Sequence, residues 1–153
     1  MTILGIDPGT ARIGYGIIEK RPKLRLVAYG TIELSPSKNA IHLLQLEKNL
    51  KNLILRYKPD RIGLESLFFS KNKKTAFSVA EARGVILLTA LKHHIPVYEF
   101  SPTEIKATIT GWGRSDKKTI KRCVSLSLGI NQIEGHDDAA DALAIALRAS
   151  FNQ

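Results

Sequence analysis

Two short apolar runs in this chain each end on a carboxylate, and that pattern constrains the fold more than any other feature. Thr2-Ile-Leu-Gly-Ile-Asp7 runs straight into a Pro8-Gly9 turn, and Arg61-Ile-Gly-Leu-Glu65 begins just after Pro59. Both have the length and composition of strands. Alternation along the first places Ile3, Gly5 and Asp7 on one face, so Asp7 projects from the strand's end. If the two strands are neighbours in one sheet, Asp7 and Glu65 come within reach of a shared ion. Far downstream, Asp138-Ala-Ala-Asp141 sets two more acids at i,i+3 on one face of a small-residue helix. Gathering four acids is costly unless a cation neutralises them.

The chemistry of such a cage follows from its donors. Carboxylates without cysteine or paired histidine make a hard oxygen site, suited to Mg²⁺ or Mn²⁺ rather than Zn²⁺. Two divalent ions about 3.5–4 Å apart activate water and stabilise the leaving oxygen of a phosphodiester, with no nucleophilic side chain needed. Taken singly, the acids have plainer readings. Asp7 before Pro-Gly is an ordinary turn residue, and Asp138 and Asp141 suit a helix N-terminus through the dipole, a role Asp137 fills better. Three separate segments converging on one chemistry outweigh those readings.

Charge supplies the complement. The chain has 153 residues and a net charge of +9, with 44% hydrophobic and 24% charged residues. That size fits a single domain over 1–153 with a proper core. The excess of cations favours a polyanion, nucleic acid before a membrane surface. No apolar run reaches the roughly 18 residues of a spanning helix, so no membrane partner is expected. The first strand leaves no room for a targeting peptide, and the lone Cys123 suits a reducing compartment. A cytoplasmic protein is expected.

The remaining pattern is α/β. Strands at 2–7, 14–19 and 24–34, the last two joined by a Lys20–Lys23 turn, form an antiparallel meander. Leu43, Leu46, Leu50, Leu53, Ile54 and Tyr57 make one face of a helix over 39–57. A strand ending at Glu65, a helix over 75–93, a strand over 96–100 and a helix over 102–109 follow. Ser115 is expected to cap a helix through Leu128, and a final helix spans 137–149. The helix over 75–93 is apolar on more than one side, so it is either sandwiched in the core or pressed on a partner subunit.

Across this framework the chain resembles the RuvC family of Holliday junction resolvases, essentially end to end. The resemblance is carried by Gly5-Ile-Asp-Pro-Gly9 with Gly14-Tyr-Gly16, by Glu65 and Phe68, and by Ala82-Arg-Gly84. Lys106 before Gly111 and Asp138-Ala-Ala-Asp141-Ala-Leu-Ala complete it. It implies an RNase H-like fold: a five-stranded mixed sheet, three strands antiparallel and two parallel, flanked by helices. It also implies a homodimeric endonuclease that makes paired symmetric nicks in four-way DNA junctions, with two Mg²⁺ per site and Mn²⁺ as a substitute. A RuvA–RuvB branch-migration complex is implied as a partner. Asp7, Glu65, Asp138 and Asp141 carry over as catalytic, metal-binding acids. Two departures touch the site. Ser66 stands where relatives often have glutamine, and His136 and Asp137 crowd the last motif, leaving Asp137, at i,i+4 from Asp141, as an alternative to Asp138.

A cage of acids repels phosphate, so DNA binding needs cations around it. Lys71, Lys73 and Lys74 follow Glu65, and Lys117, Lys118, Lys121 and Arg122 precede the last motif. By resemblance, Lys106 and Lys117 lie near the scissile phosphate and Phe68 stacks on the junction, leaving Phe69 to the core. Trp112 gives no comparable signal. Another RNase H-like nuclease, acting on different DNA or an RNA–DNA hybrid, is the alternative. The Asp7-Pro-Gly-Thr10 turn also resembles the phosphate hairpin of actin-like ATPases, but those need a second lobe that 153 residues do not supply.

Overall fold

The acidic strand ends meet because the two strands that carry them are hydrogen-bonded neighbours. The computed structural model describes residues 1–35, 40–66 and 73–152. Its centre is β1 (Thr2–Asp7), paired antiparallel with β2 (Arg12–Arg21) and parallel with β4 (Arg61–Glu65). β3 (Lys23–Glu33) extends the meander from β2, and β5 (Val97–Phe100) runs parallel beside β4, giving the order β3-β2-β1-β4-β5. Ile6 lies opposite Leu64, so the chain leaves β1 at Asp7 and β4 at Glu65 on the same sheet edge. This is the mixed sheet expected from the sequence.

Helices cover both faces. On one, α1 (Ile41–Tyr57) and α2 (Lys73–Lys92) bury Leu46, Leu50, Ile54, Ala82, Ile86 and Ala90 against Leu4, Ile6, Ile62 and Leu64. On the other lie α3 (Pro102–Thr110), α4 (Lys117–Leu128) and α5 (Asp137–Ala149), packed around Ile3, Ile18 and Leu143. Among the described residues, no helix is long and apolar enough to cross a membrane. The start of α4 differs from expectation. Asp116, not Ser115, is its cap and accepts the Thr119 N–H at 2.7 Å. The Ser115 hydroxyl is turned inward and spent on Thr110 and the Trp112 carbonyl.

Helix α5 sits unusually low on the sheet, for a reason written in glycine. Gly16 of β2, Gly5 of β1 and Gly63 of β4 are register partners, forming a row without side chains across three strands. Over that row lie Ala142, Leu143, Ile145, Ala146 and Ala149 of α5. A Cβ on Gly5 would overlap the Ala142 carbonyl oxygen, and one on Gly16 would come within 2.8 Å of the Leu143 nitrogen. A Cβ on Gly14, the partner of Asp7, would overlap the carbonyl oxygen of Asp138. Only hydrogen at these positions lets the helix backbone descend far enough to bring its acids to the strand ends. Gly5→Ala should therefore lower unfolding free energy by about 1–3 kcal/mol or more, because the added methyl meets backbone rather than a movable side chain. Urea melts of the two proteins measure that difference.

Candidate active site

Asp7 lies deepest among the acids. Burial raises its carboxyl from an ordinary 3.8 to about 8, helped by the charges of Glu65, Asp141 and Asp138 and opposed by Lys117. Burial first, and then the charge of Asp141, raise the Glu65 carboxyl, and its interaction with the Asp7 side chain works against that rise. Asp141 is likewise raised by burial, and Lys117 offsets this through an ion pair of 3.3 Å. Lys117 is in turn held charged by Asp141 first of all. Asp138 pairs with the Arg12 guanidinium at 3.4 Å.

Beside these acids lies a cavity of about 260 Å³ whose polar lining is Glu65, Asp141, Lys106 and Lys117. Acids thus face cations across one small space. The donor set fits a hard divalent cation: only carboxylate oxygens are offered, and Asp7 keeps a proton near neutral pH that a cation can replace. As the side chains stand, however, no three acidic, histidine or cysteine groups among the described residues form a ready metal cluster. Asp138 and Asp141 are each turned to a protein cation, so the four acids converge without being a preset chelate.

A sequence profile of the crossover junction endodeoxyribonuclease RuvC family matches residues 3–149. The chain belongs to the RuvC family. It is 47% identical over 150 residues to the RuvC crossover junction endodeoxyribonuclease of Caldicellulosiruptor saccharolyticus, covering 96% of this chain and 90% of that protein. The Petrotoga mobilis RuvC is 49% identical over 148 residues, covering 95% and 91%. Among solved structures, Thermus thermophilus RuvC superposes with a TM-score of 0.90 at 29% identity, covering 99% of this chain and 94% of the other. The same protein in complex with a Holliday junction substrate gives 0.92 at 28%, covering 99% and 93%. The architecture is the RNase H-like fold of this family.

Not every residue expected at a RuvC site is gathered there. Asp7, Glu65, Asp138 and Asp141 interact electrostatically at one sheet end, and Lys106 and Lys117 line the cavity beside them. Lys118 lines a separate groove with Lys121 and Arg122, along the outer side of α4. Phe68 and Lys71 lie outside the described residues, as does Phe69. Lys73 and Lys74 begin α2, and only their backbone is described. Asp137 leans out toward Lys121 at 3.9 Å with its side chain 64% exposed, and His136 contacts Arg12 at 3.3 Å.

Two residues to which the sequence assigned no chemical role shape the site, Arg83 among them although its motif helps carry the family resemblance. Arg83, 8% exposed on α2, donates to the Glu65 carbonyl at 2.5 Å and to Glu99 on β5 at 2.7 Å. It clamps the end of the strand from which Glu65 projects. Its signal was an arginine inside an apolar helix, a place where a charge persists only with partners. Arg12, first residue of β2, gave no signal beyond its nearness to the Pro8-Gly9 turn.

The carboxyl shifts have a pH consequence. Between about 4 and about 8 the folded protein keeps a proton on Asp7 that the unfolded chain releases, so stability falls as pH rises through that window. Asp7→Asn keeps the size of the side chain but cannot ionise. In EDTA it should melt higher than the parent at pH 8, with the gain vanishing toward pH 4; a pH-independent difference would refute the assignment. Calorimetric titration with Mn²⁺ separates the two adjacent acids. Asp138→Asn should weaken binding at least about tenfold, the loss already seen when only an outer-shell partner of a metal is removed, whereas Asp137→Asn should leave it nearly unchanged.

Proposed function

We propose that this chain is a metal-dependent endodeoxyribonuclease that resolves four-way DNA junctions by paired symmetric nicks, leaving 5′-phosphate and 3′-hydroxyl ends. The observation that carries this reading is the meeting of Asp7, Glu65, Asp141 and Asp138 beside Lys106 and Lys117. It occurs in a chain that matches junction endonucleases over nearly its whole length.

Asp7, Glu65, Asp138 and Asp141 would hold two Mg²⁺, with Mn²⁺ as a substitute. Such ions lower the pKa of the attacking water and neutralise charge on the phosphodiester oxygens. The protein's own share is electrostatic and positional. Burial of Asp7 makes its ionised carboxylate costly without a neutralising cation, and Arg83 fixes the strand end of Glu65. Lys106 and Lys117 offset the charge that the acids and the phosphate share, Lys117 by exchanging its pairing with Asp141 for the substrate.

Resolution requires two such sites, and one face of α2 suits the pairing. Phe77, Leu88 and Leu91 are 82%, 53% and 69% exposed. With Gly84, open beyond its Cα, they fall on one helical stripe. The opposite side of α2 buries Ala82, Ile86 and Ala90, so the helix is not sandwiched within the chain. A second copy meeting this stripe would give a twofold dimer matched to the approximate twofold symmetry of a junction. The resolvase would work in the cytoplasm, where DNA and reduced Cys123 coexist, and would receive junctions from a RuvA–RuvB branch-migration complex.

The test is a panel of end-labelled four-way, duplex and RNA–DNA hybrid substrates with Mg²⁺ or EDTA. Paired, ligatable nicks confined to the four-way substrate and abolished by EDTA are expected; preferential cutting of the hybrid would favour a different RNase H-like nuclease. Leu88→Glu with Leu91→Glu should run as a monomer in light scattering and lose coordinated nicking.

A further inference from the structure

One large aromatic side chain, on the turn between the two helices that carry Lys106 and Lys117, has no role in the mechanism above. Trp112, the chain's one tryptophan, is 63% exposed. Burying an indole is among the larger apolar gains available to a fold, so an outward ring on a firmly built turn calls for a use. This turn is firmly built. Gly111 ends α3 with φ of +79°, a conformation that favours glycine. Gly113 packs so closely that a Cβ there would come within 2.6 Å of Thr103 Cγ2. The Thr110 hydroxyl accepts the Trp112 N–H at 3.1 Å, and the buried Ser115 hydroxyl donates to the Trp112 carbonyl at 2.9 Å. The two hydroxyls lie 2.6 Å apart. Both backbone polar groups of Trp112 are satisfied within the turn, and its side chain is what the turn presents.

The turn is tied to the cavity through the helices on either side of it. It joins the two helices that deliver Lys106 and Lys117 to the cavity, and the Thr110 hydroxyl is itself anchored on the Lys106 carbonyl at 2.8 Å. Arg114 on the same turn is exposed and has no ion pair among the described residues. The nearest acid, Asp116, is engaged in capping α4. Between Leu91 and Leu126, no other large hydrophobic among the described residues is exposed. A protein-binding tryptophan is usually the centre of an apolar, water-excluding patch. Along the turn its neighbours are Gly111, Gly113 and the exposed Arg114. A flat aromatic face among cations matches an unpaired nucleobase with its flanking phosphates.

We infer that Trp112 is a stacking residue for the DNA strand being cut. Its indole packs on an unpaired base near the phosphodiester in the cavity, while Arg114, Lys106 and Lys117 take neighbouring phosphates. The inference rests on the nuclease reading and adds to it a specific contact that orients the strand.

The lone tryptophan makes the test direct. A fluorescently labelled four-way junction is titrated in EDTA, with anisotropy reporting binding and Trp112 emission reporting its surroundings. Stacking predicts quenched emission and loss of iodide access in step with the anisotropy. Trp112→Ala should weaken binding by about ten- to a hundredfold, with Trp112→Phe recovering most of it and circular dichroism unchanged in both. Tight binding with emission and iodide access unaltered would overturn stacking while leaving the nuclease reading intact, and would assign the indole to another partner. Absence of binding to any DNA would sink both.

Discussion

The seating of α5 on a row of glycines is the constraint from which the rest of the site follows. Gly16, Gly5 and Gly63 remove every side chain from a strip across three strands, and the alanine-rich helix fills it. Close packing of backbone on backbone is unforgiving, since no side chain is available to yield. The same contact carries Asp138 to Gly14, beside Asp7, and sets Asp141 near Glu65. Core packing thus fixes the position of the acids, and the stability of that core bears the cost of crowding them.

Crowding like charges at a buried strand end is unfavourable by itself, and the protein distributes the burden. Burial and the neighbouring acids push the Asp7 carboxyl up to about 8, while Lys117 and Arg12 offset Asp141 and Asp138. Arg83 holds the backbone of Glu65 so that repulsion does not relax the strand end. Two of these cations, Lys117 and Arg12, have side chains 68% and 43% exposed and are free to exchange partners. Arg83, only 8% exposed, is structural by comparison. A site that needs cations for neutrality is suited to accept them together with a phosphate.

The two faces of the sheet serve different ends. Helices α3, α4 and α5 cover the face beside the strand-end acids, and Lys106 of α3, Lys117 of α4 and Asp141 of α5 line one cavity there. Helices α1 and α2 close the other face and leave the Phe77–Leu91 stripe uncovered. Arg83 joins the two roles, since the helix that exposes the stripe also clamps Glu65. A contact made on α2 is therefore one buried residue away from the strand end that carries Glu65.

Local chemistry made much of this legible in the sequence. Apolar periodicity, Pro59 and the glycine-rich turns mark the ten elements of the described residues in order, because short-range sterics and burial decide element type. Acids at two strand ends and at i,i+3 on a helix already name the oxygen-rich site, and the end-to-end motif pattern names the family. What sequence could not reveal is contact between distant residues. The glycines are visible singly, but only pairing of β1 with β2 and β4 aligns them into a seat for α5. Arg12 and Arg83 act through partners 126 and 18 residues away, as ion pair and hydrogen bond. Ser115 and Asp116 are equally good caps by type, and the inward pull of Thr110 on Ser115 decides between them. Residue identity determined which groups were available; three-dimensional packing decided which of them share a charge, because electrostatic and steric interactions depend on distance in space rather than along the chain.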